Sequence, residues 1–313
     1  MDLKSLKIIF MGTPEFSVPI LNALIKNYQV SAVVTQPDKK VGRKQVLTPS
    51  PIKKLAEENK IVVLQPAKLK DNTEFLEIVK NLKPDLIVVA AYGFILLKDL
   101  LTIPSYGVIN AHASLLPKYR GASPIQSVIL NGEKESGITI MQINEKMDEG
   151  DILAQDNVKI SENETYTSLH DKLSILGADL LLKTIPKWLN NEIKPQKQDN
   201  ARASYCKLLT KENGKIDWHK SASEIERQVR AFNPWPGTWT IWGKKKLKVI
   251  KSRVYKVNAV YKVGEVFKIT NGIAIACGQD TLEILELQLE GKKPMTVNEF
   301  LNGYQKIIGK ILK

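Results

Sequence analysis

Leu86 to Ala91 reads Leu-Ile-Val-Val-Ala-Ala, apolar without a break behind a single aspartate, Asp85. A half-exposed strand would alternate apolar and polar residues, so this short unbroken run belongs to a strand covered on both faces, as in a parallel sheet. The chain around it fits that demand. Residues 6–12 read as a buried strand, 18–25 as a helix and 30–35 as a strand; a helix at 52–60, a strand at 61–64 and a helix at 74–81 then lead to the apolar run, and another strand ends at His112. Strands alternating with helices specify a doubly wound, mostly parallel α/β sheet. The turn after the first strand, Gly12-Thr13-Pro14-Glu15-Phe16, holds one glycine, so the Gly-x-Gly-x-x-Gly dinucleotide fingerprint is missing.

The residues with chemistry to offer gather between Gly107 and Asp151. Asn110 and His112 close the apolar strand Gly107-Val108-Ile109-Asn110, and a period of two puts both side chains on one face. Asp148 follows a second apolar run, Ile138 to Ile143, in the turn-like Met147-Asp148-Glu149-Gly150, from which a carboxylate can reach back to a neighbouring strand end. An amide donor, an imidazole and a carboxylate suit acyl transfer to an amine: Asn110 can face a developing oxyanion, His112 can exchange a proton near neutral pH, and Asp148 can orient it. Taken singly, each is more often a hydrogen-bonding or turn residue. Ser114 lies near His112, but no Gly-x-Ser-x-Gly elbow surrounds it, which speaks against a Ser-His-Asp hydrolase.

Between these groups runs Ser114-Leu115-Leu116-Pro117-Lys118-Tyr119-Arg120-Gly121-Ala122-Ser123-Pro124. Asn-x-His followed at once by Ser-Leu-Leu-Pro-x-x-Arg-Gly-x-x-Pro, with an aspartate about three dozen residues on, resembles the folate-dependent formyltransferase family. Gly12-Thr13-Pro14-x-Phe16 resembles its tRNA-specific branch. The resemblance runs from Gly12 to the Thr296-x-x-Glu299 box. It implies transfer of the formyl group of 10-formyltetrahydrofolate, a co-substrate, to the α-amino group of methionine on initiator tRNA, with no metal. It implies catalytic roles for Asn110, His112 and Asp148, and a folate site along Ser114, Leu115, Leu116 and Pro117 with Tyr92 and Phe94 nearby.

The net charge of +13 is unevenly placed. From Cys206 onward 20 Lys and Arg stand against 10 Asp and Glu, an excess of ten, which leaves an excess of three over the first 205 residues. That asymmetry suggests a polyanion-binding module behind a nearly neutral catalytic one, although a solvated lysine surface would look the same. No apolar run approaches the roughly 20 residues that span a bilayer, and the start resembles no signal peptide, so a cytoplasmic protein without membrane contact is expected, as a monomer. Cys206 and Cys277 lie far apart, without metal-ligand spacing, and His170 and His219 read as structural.

A basic, Gly- and Pro-containing loop follows the second strand, Gln36-Pro37-Asp38 through Gly42-Arg43-Lys44-Gln45 to Pro51. In the resemblance this segment reaches the tRNA acceptor stem, making Arg43 and then Lys44 contacts. Family members often continue Gly-Arg-Gly-Lys-Lys where this chain has Gly42-Arg43-Lys44-Gln45, so one glycine and one charge are missing. The box Ser161-x-x-Glu164 with Leu169, Leu173, Leu176 and Leu180 predicts a helix to about Trp188, and the polar stretch after it marks a linker. The expected division is a formyltransferase domain at 1–189, a linker at 190–205 and a basic domain at 206–313. In the last, Ser221-x-x-Glu224 begins a helix through Phe232, and five short strand signals argue for a small closed or nearly closed β barrel, which the resemblance makes OB-like. Four of five tryptophans fall there, near Lys244, Lys245, Lys246 and Lys248, the lysines expected to meet tRNA phosphates. Two rivals stay open: the same chemistry on an amino-sugar nucleotide or small ribonucleotide, and a non-catalytic RNA-binding scaffold.

Overall fold

The computed structural model describes residues 5–42, 44–257 and 260–313. The chain divides into two compact units, one containing the described residues up to Pro124 with 135–159 and 170–207, the other containing 125–134, 160–169 and 208–313.

Up to Cys206 the chain is built as the apolar runs require. In chain order come β1 (Lys7–Gly12), α1 (Val18–Asn27), β2 (Gln29–Val34), β3 (Lys39–Val41), β4 (Val46–Thr48), α2 (Pro51–Glu58), β5 (Val62–Leu64), α3 (Thr73–Leu82), β6 (Leu86–Ala90), α4 (Lys98–Leu101), β7 (Val108–His112), β8 (Arg120–Gly121), α5 (Pro124–Leu130), β9 (Glu135–Gln142), β10 (Ile152–Lys159), α6 (Tyr166–Leu189) and β11 (Tyr205–Cys206). The seven-stranded sheet has the order β10-β9-β7-β6-β1-β2-β5, parallel from β7 to β5 and antiparallel where β9 joins β7 and β10. All five residues of β6 are buried, which is why its sequence cannot alternate.

The parallel strands wind outward in both directions from β1 and β6, so the chain order reverses between these two, and ligands of such sheets sit beyond the strand ends at that reversal. Hydrogen bonds tie those ends together. Thr13 Oγ1 donates to the Tyr92 carbonyl at 3.1 Å, Gln36 Nε2 to the same oxygen at 3.0 Å, and Ser17 Oγ to the Ala90 carbonyl at 2.6 Å.

Two expectations need correction. The loop after β2 is not without regular structure: β3 and β4 pair as an antiparallel hairpin, anchored where Asp38 takes hydrogen bonds from Lys53 Nζ and Gln65 Nε2, both at 2.8 Å. Arg43 lies outside the described residues. The long helix starts at Tyr166 rather than at Ser161. Glu164 does accept from Ser161, but Thr165 and Ser168 cap the helix, each accepting from the other's backbone N–H.

The second unit carries α7 (Ala222–Phe232), β12 (Thr238–Trp242), β13 (Lys245–Tyr255), β14 (Val266–Ile269), β15 (Gly272–Ala276), β16 (Thr281–Leu289), β17 (Met295–Thr296) and α8 (Val297–Tyr304). Both helices open on reciprocal caps, Ser221 with Glu224 and Thr296 with Glu299. The sheet is antiparallel in the order β12-β13-β16-β15-β14, with β17 on β16. Among the described residues no ladder joins β12 to β14, so the sheet is not a closed barrel. Its core holds Trp218, Ile225 and Val229 against Leu247, Val249, Ile273, Ile284 and Phe300.

Candidate active site

Strand β7 places Asn110 and His112 two residues apart, both buried, and the register carries His112 past the last paired residue of β6. His112 Nε2 stands 3.0 Å from the Tyr119 carbonyl oxygen. A carbonyl can only accept, so Nε2 carries the proton of that hydrogen bond and Nδ1 faces elsewhere. It faces Asp148, whose Oδ2 is 3.7 Å away. The same carboxylate oxygen accepts the Gly121 N–H at 2.8 Å. Asn110 is 9% exposed, and no described residue hydrogen-bonds its side-chain amide. A buried amide left without a protein partner can donate to a bound group.

The Ser-Leu-Leu-Pro loop is held from below by Thr139 on β9. Thr139 Oγ1 donates to the Ser114 carbonyl at 2.6 Å and accepts from the Leu116 N–H at 3.1 Å and from Gln155 Nε2 at 2.8 Å. Ser114 Oγ donates to the Lys118 carbonyl at 2.7 Å, and both Ser114 and Leu116 are buried. Those two therefore build the loop from inside, while Leu115 and Pro117 are half-buried at its surface. Tyr92 is buried and Phe94 half-buried, their rings edge to face at 5.4 Å. Burial pushes the Tyr92 phenol well above its ordinary range.

Behind Asp148 lies Arg120, part of the Arg-Gly motif and without a role expected from the sequence. It is 1% exposed. Its Nε and Nη2 donate to Gln198 Oε1 at 3.0 and 2.9 Å, Nη2 also to Asn200 Oδ1 at 2.8 Å, and Nη1 to the Tyr205 hydroxyl at 3.0 Å. Glu149 supplies the carboxylate, 3.5 Å from Nη1. A buried guanidinium needs such a full set of acceptors. Three of these partners come from the polar stretch read as a linker, which in the structure pairs with the site: β11 runs parallel to β8, and the Cys206 carbonyl fills the space where a side chain on Gly121 would stand.

The family models match the chain on both sides of that stretch, "Formyl transferase" over residues 6–185 and "Formyl transferase, C-terminal domain" over 208–305. The chain belongs to the formyl transferase family, in the branch of the methionyl-tRNA formyltransferases. A methionyl-tRNA formyltransferase of Clostridium novyi is 47% identical over 309 residues, covering 98% of this chain and all of the relative. One of Halalkalibacterium halodurans is 48% identical over 303 residues, 95% of each. Among solved structures, the sugar 3N-formyl transferase WlaRD, crystallised in the presence of dTDP and 5-N-formyl-THF, superposes with a TM-score of 0.66 at 25% identity, covering 92% of this chain and 99% of that one.

For this formyl transferase, the remaining residues expected from the sequence fall on the surface. Lys44 is exposed in the β3–β4 hairpin, and Lys244, Lys245, Lys246 and Lys248 are exposed at the β12–β13 turn and along β13. Lys246 and Lys248 alternate with the buried Leu247 and Val249, so they share the outer face. Lys246 Nζ sits 3.8 Å from the centre of the Trp239 ring. Of the four tryptophans here, Trp218 and Trp239 are buried, Trp242 packs on Phe300 and Tyr304, and Trp235 is 47% exposed. No group of three or more metal-ligating side chains occurs among the described residues, and no described helix is long and apolar enough to cross a membrane.

Proposed function

We infer that this chain transfers the formyl group of 10-formyltetrahydrofolate to the α-amino group of methionine esterified to initiator tRNA. The observation that carries the chemistry is the meeting of His112 and Asp148 beside the uncommitted Asn110 amide at the carboxyl end of β7. Likeness to methionyl-tRNA formyltransferases across both matched regions selects the acceptor.

The methionine nitrogen attacks the formyl carbon, forming a C–N bond and placing negative charge on the formyl oxygen. Asn110 donates to that oxygen. The attacking nitrogen must lose a proton and N10 of the folate must gain one as its C–N bond breaks; His112 Nδ1 and Asp148 lie where they can relay it, directly or through a water. Leu115 and Pro117 offer an apolar edge to the pterin, with Tyr92 and Phe94 nearby.

Arg43, Lys44, Lys244, Lys245, Lys246 and Lys248 orient the tRNA through its phosphates. We read the chain as a catalytic part at 1–189, a connecting stretch at 190–205 and a basic part at 206–313, acting as a cytoplasmic monomer. The basic part is read as OB-like. Two bulges in β13 favour strong coiling of its sheet. Gly309 and Leu312 N–H donate to carbonyls at and before β14, and the Ile241 N–H of β12 donates to the Lys313 carbonyl, so the last residues reach both outer strands. Parallel assays with methionyl initiator tRNA, an amino-sugar nucleotide and a small ribonucleotide test the reading. Turnover with the tRNA alone is expected, and turnover with only a small acceptor would overturn it.

A further inference from the structure

We propose that Gln198 is a positioning residue for formyl transfer, holding the Asp148 turn where its carboxylate faces His112. The proposal rests on the catalytic reading above. Asp148 has φ +53°, a left-handed backbone that is uncommon for a side-chain-bearing residue, though less so for aspartate, and that contacts to its carbonyl can hold in place. Gln198 Nε2 supplies that constraint, donating to the carbonyl oxygens of Asp148 at 2.8 Å and of Gly150 at 2.7 Å, the residues on either side of Glu149.

The orientation of the Gln198 amide is itself imposed. Its Oε1 accepts two N–H groups of Arg120, and turning the amide over would set its NH2 against a guanidinium and its oxygen against two carbonyls. Arg120 cannot readily yield: it is buried, it bonds Asn200 and Tyr205, and its backbone N–H donates to the Ser204 carbonyl at 2.9 Å. The next residue, Gly121, gives its N–H to Asp148 Oδ2. Asp148 is thus gripped by its carboxylate from one side and by its carbonyl from the other, both grips referred to the paired strands β8 and β11. Its reach toward His112 depends on a residue 50 positions later in the chain.

Two substitutions separate the halves of this linkage. Gln198→Leu removes donor and acceptor together. Gln198→Glu keeps an acceptor of the same size for Arg120 but turns a carboxylate toward the two turn carbonyls, and it decides the question if the leucine variant does not fold. Single-turnover formylation with enzyme in excess is measured for both, alone and combined with Asp148→Asn, beside steady-state KM values and the pH dependence of kcat. Each single variant should lower the rate at least tenfold with KM for both substrates within about twofold, and should alter the same limb of the pH profile as Asp148→Asn. In the Asp148→Asn background either change should cost less than twofold, since the positioned group is already gone. Wild-type rates in Gln198→Glu, or losses that multiply fully in the double variants, would overturn the proposal. Asp148→Asn turning over at the wild-type rate would instead remove the catalytic reading, and the proposal with it.

Discussion

Oδ2 of Asp148 stands 3.7 Å from Nδ1 of His112, too far for a direct hydrogen bond and close enough for one atom of substrate or water to serve both. Because Nε2 is engaged with the Tyr119 carbonyl, Nδ1 is the ring nitrogen left to exchange a proton. Asp148→Asn keeps the shape and removes the charge. It is expected to lower kcat by roughly 10²- to 10⁴-fold with little change in KM, as read by steady-state formylation kinetics.

Thr139 tests the floor of the site. Replacing it with the isosteric Val leaves the Ser114 carbonyl and the Leu116 N–H without their partner in a buried place. Thr139→Val should lose about 1–3 kcal/mol of stability by denaturation, and should raise KM for the formyl donor more than KM for tRNA.

Hydrogen bonds from Lys53 and then Gln65 hold the Asp38 carboxyl below its ordinary range. A depressed carboxylate contributes stability above its unfolded value of about 4 and loses it as pH falls through the lower, folded value. The melting-temperature difference between the wild type and Asp38→Asn should therefore be constant above about pH 5 and shrink on further acidification. A pH-independent difference would mean that the carboxylate charge does not anchor the β3–β4 hairpin.

Much of this architecture was legible because burial writes itself into composition. The unbroken apolar run at Leu86 had to be a central strand, and Ser221 with Glu224 and Thr296 with Glu299 each announce a helix start. Ser161 with Glu164 carries the same pattern, yet the helix begins after Thr165, because Thr165 takes the capping position and accepts the Ser168 N–H. Asn110, His112 and Asp148 were found through motif spacing. The Arg120 network was not, since its hydrogen-bond partners lie 78 to 85 positions away and side-chain hydrogen bonds of that span leave no periodic trace. The β3–β4 hairpin was hidden for another reason: its apolar residues Val41, Val46 and Leu47 are exposed, so they do not alternate as a half-buried strand would.

The lysines of the second unit predict a salt dependence. If they meet phosphates, tRNA affinity should fall steeply with ionic strength, with a log–log slope of several units. Changing Lys244, Lys246 and Lys248 to Ala should flatten that slope by on the order of one unit for each phosphate that the variant no longer neutralises. Filter-binding titrations across salt concentrations would show it.

The most direct measurement compares wild type with His112→Ala, following labelled formyl from 10-formyltetrahydrofolate onto methionyl initiator tRNA while tRNA affinity is measured separately. Formylated tRNA from the wild type, a rate at least 10²-fold lower in the variant and an affinity unchanged within about twofold are expected. Equal rates in the two proteins, or a variant that loses tRNA binding in step with turnover, would contradict a proton-transferring imidazole at the end of β7.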